Sequence, residues 1–313
     1  LDKPTGLIKA EGIYFVVDKG EGAASVARRL ETHGIIRSEL MFRLLMKAKR
    51  QETSLKAGEY LIKADMNNSS ILNMLTEGKQ ILLRFTVPEG ATLKAIAGMA
   101  ESQGLASKAI FLDLAKDPEL LAKLDIPSSS MEGYLFPDTY FFQKNAGAEI
   151  IIRTMADNFK KQLKENIPEA GFLTSSELQE KVILASIVER EYRLPAEAPI
   201  MAGVFYNRLK KNIALQSCAT VVYVITEIEG KPHPTRLFDK DIQIKNEFNT
   251  YVNRGLPPAP ISNPGLTALL ASFRPAATSY YYFRLIDGNS GAHYFSETFS
   301  EHIDAAALIP KAK

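Results

Sequence analysis

A glutamate in a helical segment is the residue of this chain best suited to proton transfer. Between residues 174 and 192, a period of about 100° per residue places Glu189 on the same helix face as Val182 and Ala185. A carboxyl group in apolar surroundings is harder to ionise, so its pKa should rise. A carboxylic acid that stays protonated near neutral pH can protonate a glycosidic oxygen. The alternative is a buried ion pair, for instance with Arg208.

The other polar patterns of the chain support chemistry less well. On the same helix, Glu191 points almost opposite to Glu189, and we predict that it faces solvent. The four histidines lie far apart in sequence, and no His-Glu-x-x-His pattern occurs, so no metal site is predicted. Cys218 could act as a nucleophile only beside a base that the sequence does not identify. No P-loop is present, and we expect no cofactor.

A proline-rich stretch follows the candidate helix. Residues 255–265 contain four prolines, which favour a rigid, extended loop. The loop leads into a helix for which Asn263 is the predicted N-cap and Pro264 the first helical residue. A rigid loop with exposed backbone groups suits binding of a sugar chain, and a plain domain connector is the alternative.

Composition narrows the class of protein. The chain has 313 residues, which suggests two domains, and 46% of them are hydrophobic, enough for a core. The net charge of +2 lacks the basic excess of a nucleic-acid-binding protein. The single cysteine allows no disulfide within the chain. No apolar run is long enough to span a membrane.

Two segments related by an offset of 70 residues precede the candidate helix. Residues 15–42 and 85–112 share a pattern of strand, glycine turn, amphipathic helix, glycine stop and second helix. Longer helices follow from about residue 149, and residues 280–295 are predicted to form a hairpin. We therefore predict an α+β protein with units at 11–80 and 81–145 and a mainly helical domain at 146–313.

Six ordered motifs resemble those of one family. Residues 184–191 are similar to the signature helix of the YceG-like endolytic murein transglycosylases, the MltG group. Five further stretches match in order, at residues 132–140, 204–209, 215–217, 248–251 and 255–265. The chain departs from the family at Cys218-Ala219, where Asp-Pro is frequent, and at Ala259, where glycine is frequent. A carboxylate that could have assisted at position 218 is therefore missing.

The resemblance implies a fold and a set of site residues. The fold is a LysM-like region followed by a catalytic domain with a lysozyme-like active site. The catalytic glutamate of the family corresponds to Glu189. The residues expected to line the glycan groove are Gln216, Ser217, Asn249, Tyr251 and Asn263.

The resemblance also implies an activity. The enzyme is expected to cut the β-1,4 bond between N-acetylmuramic acid and N-acetylglucosamine in nascent strands, leaving 1,6-anhydro ends. Glu189 would act first as the acid and then as the base. A hydrolytic muramidase, a non-catalytic peptidoglycan-binding scaffold and a Cys218-dependent enzyme are the alternatives.

Partners and location follow from the same resemblance. The expected ligands are peptidoglycan strands, with peptidoglycan synthases or division proteins as neighbours and no nucleic acid. The expected location is the outer face of the bacterial cytoplasmic membrane. A membrane helix of the kind that family members carry would precede Leu1.

Overall fold

The computed structural model describes residues 4, 8, 12–79 and 81–309. The chain forms two compact units. The first consists of Leu1–Phe85 with Phe141–Ala146, and the second consists of Thr86–Tyr140 with Gly147–Lys313. Every residue that the sequence nominates for chemistry belongs to the second unit.

The first unit is a strand pair packed with helices. Its elements are β1 (Ile13–Val17), α1 (Ala23–Thr32), α2 (Glu39–Ala48), β2 (Gly58–Ile62) and α3 (Asn68–Glu77). Strands β1 and β2 are antiparallel, with Phe15 opposite Tyr60. Both rings are buried together with Leu30 and Phe42, because alternate strand residues and one face of each helix point to the same side.

The second copy of the repeat has the same order of elements as far as its second helix. It comprises β3 (Leu83–Thr86), α4 (Leu93–Ser102), α5 (Lys108–Leu114), α6 (Pro118–Lys123) and β4 (Thr139–Phe142), with β3 paired to β4. The two turn glycines, Gly20 and Gly90, have φ values of 83° and 74°, and the two stop glycines, Gly34 and Gly104, have values of 68° and 66°. These left-handed conformations favour glycine. The predicted order of strand, glycine turn, helix, glycine stop and second helix is therefore confirmed in both copies.

Longer helices and a C-terminal hairpin complete the α+β fold, as predicted. The helices are α7 (Ala148–Asn166), α8 (Ser175–Glu191), α9 (Ala198–Lys210), α10 (Cys218–Tyr223), α11 (Asp239–Ile242), α12 (Leu266–Phe273) and α13 (Phe299–Asp304). Short 3-10 turns span Pro168–Phe172, Pro195–Glu197 and Ala305–Leu308, and a π-helical turn, Val224–Ile228, extends α10. Strands β5 (Tyr282–Leu285) and β6 (His293–Ser296) are antiparallel. Across the described residues, no helix is both long and apolar enough to cross a bilayer.

Helix α8 carries the candidate carboxylates and lies inside the second unit. Its start has the predicted capping box, in which Thr174 and Glu177 each bind the other's backbone N–H. All residues from Val182 to Val188 are buried, so this part of the helix is enclosed on every side. The prediction of a single apolar face is therefore wrong for the second half of α8.

The start of α12 also differs from the prediction. The helix begins at Leu266 and its N-cap residue is Gly265, so Asn263 is not an N-cap and Pro264 is not the first helical residue. The reason is that the Asn263 side chain is used elsewhere. It is fully buried and binds backbone groups of two segments distant in sequence.

Candidate active site at the end of α8

Three consecutive charged residues end α8, and each has different surroundings. Successive residues of a helix are rotated by about 100°, so Glu189, Arg190 and Glu191 cannot share one face. Glu189 lies beside Gly265, Arg190 reaches the carbonyl of Gly90, and Glu191 reaches Ser217. Two carboxyl groups are thus held on different sides of one helix end.

Glu189 has a raised pKa and makes no ion pair with the residues that the structure describes. The backbone N–H of Gly265 donates to its Oε2 at 2.9 Å, and the Tyr192 hydroxyl lies 3.4 Å from its Oε1. Burial raises the pKa of Glu189 to about 7, although the Gly265 hydrogen bond lowers it. Arg208 instead donates to the carbonyls of Ala214 and Leu215, so the alternative of an ion pair with Glu189 is wrong.

Glu89 is a further carboxylate that sequence reasoning missed. A Cβ added to Gly265 would lie 1.9 Å from Oε1 of Glu89, so the Glu89 carboxyl packs directly on this glycine. Its charge also raises the pKa of Glu189. The repeat contained a signal, because Glu89 occupies the turn position at which the first copy has Lys19.

Glu191 does not face solvent, and that prediction is wrong. The side chain is partly buried, and its Oε1 accepts a hydrogen bond from the Ser217 hydroxyl. Burial raises the pKa of Glu191, while the hydrogen bonds from Ser217 and from the backbone of Ala219 lower it. No local sequence pattern indicates this environment, because Ser217 is 26 residues away along the chain.

Glu191 lines a pocket of about 390 Å³, which we call the Glu191 pocket. Its wall consists of Glu191, Arg208, Leu215, Gln216, Cys218, Tyr251, Tyr282, Phe283, Leu285, His293, Phe299 and His302. Aromatic and aliphatic walls with a few convergent polar groups are typical of ligand pockets. Of the residues predicted to line a groove, Gln216 and Tyr251 are in this wall.

The Gln216 segment is held in an uncommon backbone conformation. Gln216 has a φ of 53°, and its N–H donates to the carbonyl of Thr250 at 3.0 Å. Arg208 braces the same segment, donating to the Leu215 carbonyl at 2.8 Å. The Arg208 guanidinium also lies 5.0 Å from the ring centre of Tyr282. Gln216 is exposed, so its side chain is available to a ligand.

The other three predicted groove residues lie behind this surface. Asn249 is 0% exposed; its amide donates to the carbonyls of Ile242 and Ile244, and its Oδ1 accepts from the backbone of Tyr251. Ser217 is also buried and donates to Glu191. These contacts hold pocket residues in place.

Asn263 is the third of these residues, and all four of its hydrogen-bonding positions are used. Its Oδ1 accepts from the backbones of Gly133 and Leu135, and its amide donates to the carbonyl of Ala91 and to Oε1 of Glu132. Asn263 therefore ties the proline-rich loop to the 132–140 motif.

The proline-rich loop supports α8 as well. Its residues 260–265 are buried, which contradicts the predicted exposed backbone. The N–H of Ile261 donates to Ser186 Oγ at 3.0 Å, and the Ser262 hydroxyl donates to the Ser186 carbonyl at 3.0 Å. Pro260 packs so closely on Gly133 that a Cβ there would lie 2.6 Å from it. The loop thus fixes the helix that carries both glutamates.

Other kinds of site find little support in the described part of the chain. No group of three His, Cys, Asp or Glu side chains is arranged to hold a metal ion among the described residues. Cys218 is exposed, with its Sγ 3.0 Å from the Tyr251 hydroxyl. Although the residue is exposed, partial burial of its Sγ raises the pKa of the Cys218 thiol, which disfavours the nucleophilic thiolate.

Proteins of known name resemble this chain over most of its length. Residues 15–307 match the model of the YceG-like family. An endolytic murein transglycosylase of Bacillus subtilis is 30% identical over 91% of this chain and 81% of its own length. One of Streptococcus pneumoniae is 29% identical over 91% of this chain, which spans 56% of that protein.

A solved structure gives the same result. The crystal structure of a YceG-like protein from Listeria monocytogenes matches with a TM-score of 0.63 and 30% identity. The match covers 95% of this chain and 99% of that one. Because the family model, the named relatives and a solved structure all match, this chain belongs to the YceG-like family.

Proposed function

We propose that this protein is an endolytic lytic transglycosylase that cuts peptidoglycan strands. The proposal is supported by the names of its relatives and by one structural observation. Glu191, a carboxyl group with a raised pKa, lines an aromatic pocket together with Gln216 and Tyr251. A protonatable acid in a pocket that a substrate can enter is the minimum that glycosidic cleavage requires.

Two carboxyl groups at the end of α8 compete for the role of the acid. A general acid must come within about 2.6–3.2 Å of the oxygen that it protonates, so it must be open to the substrate. Glu191 lines the pocket, whereas Glu189 lies at Gly265 and is not part of the pocket wall. We therefore propose Glu191 as the acid and base. Glu189, which the resemblance nominates, is retained as the alternative.

The proposed reaction uses one carboxyl group twice. Glu191 protonates the oxygen between N-acetylmuramic acid and N-acetylglucosamine, and the substrate's acetamido group stabilises the oxocarbenium-like carbon. The Glu191 carboxylate then takes the proton from the C6 hydroxyl of the N-acetylmuramic acid. That hydroxyl closes a 1,6-anhydro ring, and the step is fast because it is intramolecular.

The pocket offers the groups that this reaction needs. Tyr251 and Tyr282 provide aromatic surfaces for a sugar ring, and Gln216 provides amide hydrogen bonds. Ser217 holds the Glu191 carboxyl in one orientation, and Asn249 holds the backbone of Tyr251. As its substrate is peptidoglycan, we propose that the protein acts outside the cytoplasmic membrane, beside synthases of the strands.

Matched glutamine variants test both the activity and the acid. Glycan strands are digested with the wild type, Glu191→Gln and Glu189→Gln, and the new ends are identified by mass spectrometry. We expect Glu191→Gln to lose cleavage by about 10²–10⁴-fold, the usual contribution of general acid–base catalysis. Glu189→Gln should lose less than about tenfold, because its effect is indirect.

Other outcomes would identify a different acid, a different reaction or a protein that does not cleave strands. The reverse order of the two losses would make Glu189 the acid. Reducing ends without an anhydro ring would show a hydrolytic muramidase. Binding of strands by the wild type without any cleavage would show a peptidoglycan-binding scaffold.

A further inference from the structure

A second pocket, of about 380 Å³, opens beside the first and carries an excess of positive charge. We propose that it binds the carboxylates of the peptide stems attached to the glycan, an inference that rests on the proposed function. The wall consists of Gly90, Ala91, Thr92, Lys94, Ala95, Arg190, Ala219, Val222, Tyr223, Thr226, Glu227, Lys231, His233 and Ile261. We call it the Arg190 pocket.

Two cations of this pocket are held in place by backbone carbonyls. Arg190 Nη1 donates to the Gly90 carbonyl at 3.1 Å, and Lys94 Nζ donates to the Thr226 carbonyl at 3.0 Å. Neither makes an ion pair with a carboxylate among the residues that the structure describes. A charge held by a neutral carbonyl keeps most of its attraction for an anion.

The acidic groups in the wall are outnumbered by the basic ones, and Glu189 and Glu191, which flank Arg190 along the chain, offset only part of its charge. The wall contains one carboxylate, that of Glu227, and three basic side chains, those of Arg190, Lys94 and Lys231. Lys231 is paired with Glu229, whose Oε2 lies 2.6 Å from its Nζ. Beneath the pocket, burial raises the pKa of Glu132 to about 8, so this carboxyl is mostly neutral at pH 7. The pocket therefore favours a negatively charged ligand.

Consecutive residues divide between the two pockets. Glu191 lines the first and Arg190 the second, and likewise Cys218 lines the first and Ala219 the second. The pockets are therefore separated by little more than the end of α8 and the start of α10. A strand bound for cleavage at Glu191 would carry its attached groups towards Arg190.

The chemistry of the strand identifies the group that fits. Where a stem is attached, the lactyl carboxyl of the muramic acid forms the amide bond to the peptide, so the sugars carry no charge and the carboxylates lie on the peptide stems. Guanidinium and ammonium groups bind carboxylates through charge-assisted hydrogen bonds. Two residues of the wall, Thr226 and Glu227, belong to the π-helical turn, a distortion that is frequent at functional sites. We infer that the enzyme prefers strands that retain their stems.

The test compares two substrates within each protein. The kcat/KM for strands with stems is divided by the kcat/KM for strands from which an amidase has removed the stems and in which the lactyl carboxylates so exposed have been converted to methylamides. We expect a ratio of several-fold for the full-chain wild type, because an exposed ion pair contributes up to about fivefold. Lys94→Gln and Arg190→Gln should each move the ratio towards one, and added salt should do the same.

Controls make each outcome decisive. Lys161, an exposed lysine of α7 outside the pocket, provides the matched variant Lys161→Gln, which should keep the wild-type ratio. A wild-type ratio of one would overturn the stem subsite while leaving the proposed cleavage intact. A ratio that Lys94→Gln and Arg190→Gln leave unchanged would also overturn it. No cleavage of either substrate would instead overturn the proposed function.

Discussion

The Glu191 carboxyl combines two properties that a general acid needs. It is buried enough for its proton to be held more tightly than in water, and it still borders an open pocket. Glu189 also holds its proton more tightly than in water, but it lies at Gly265 and outside the wall of the Glu191 pocket. Glu189 and Glu191 therefore both have raised pKa values, and Glu191 is the one that lines the Glu191 pocket.

A thiol beside Glu191 provides a chemical test of the pocket. Cys218 is the chain's single cysteine, and its Sγ lies 3.0 Å from the Tyr251 hydroxyl. Alkylation with a bulky maleimide should fill the pocket and block cleavage. Because burial raises the pKa of this thiol, labelling should be carried out at about pH 8.5.

The serine variant separates blockage from nucleophilic chemistry. Cys218→Ser should cleave strands and resist the maleimide, because it lacks the thiol and keeps the pocket open. An inactive Cys218→Ser would support a cysteine-dependent enzyme. Full activity after complete alkylation would place the active site outside the Glu191 pocket.

At the level of elements, α8 is held in place by segments that come from distant parts of the chain. The proline-rich loop binds Ser186 through Ile261 and Ser262, and Asn263 joins that loop to the 132–140 motif. Helix ends carry catalytic groups well when the helix cannot shift, because misplacement of the acid weakens catalysis.

Removing Asn263 should weaken this support strongly. Asn263→Ala leaves the buried N–H groups of Gly133 and Leu135 without their acceptor, and each such group costs about 1–3 kcal/mol. We expect the free energy of unfolding, measured by urea denaturation, to fall by about 3–5 kcal/mol. Asn253→Ala is the control, because its hydrogen bonds lie at the surface and water can replace them. Equal losses in the two variants would contradict the proposed bracing.

The sequence was informative where interactions are local. The repeat, the capping box of α8 and the C-terminal hairpin depend on neighbours in the chain, and all are present. The environments of Asn263 and Glu191 depend on partners 130 and 26 residues away. A helical wheel assumes one buried face, so it could not anticipate a helix enclosed on all sides. The motif match nominated both Gln216 and Tyr251 for the groove, although no geometric argument placed them side by side.

At the scale of the whole molecule, several carboxyl groups of the second unit bind protons more tightly when folded. Burial raises the pKa of Glu132 to about 8 and that of Glu189 to about 7, and it also raises the pKa of Glu191. In the unfolded chain these groups ionise near their ordinary value of 4.5. At a pH between 4.5 and the raised pKa of a group, the folded protein holds a proton that the unfolded chain has released.

Stability should therefore fall as the pH rises from about 5 to 8. Each such group lowers the free energy of unfolding by up to about 1.4 kcal/mol per pH unit inside its window. His302, whose pKa burial lowers from 6.5, acts in the opposite direction below that pH. Urea midpoints should be lower at pH 8 than at pH 5.5, and Glu132→Gln should reduce the difference. A midpoint that rises over this range would contradict the protonated state of Glu132.

The C-terminal hairpin and α13 supply half of the lining of the Glu191 pocket, namely Tyr282, Phe283, Leu285, His293, Phe299 and His302. The proposed acid and its supports come from α8, the proline-rich loop and the 215–217 segment. The residues that shape the pocket and the residues that hold the proposed acid thus belong to separate segments of the chain. An engineer could therefore exchange the hairpin between relatives and leave α8 untouched.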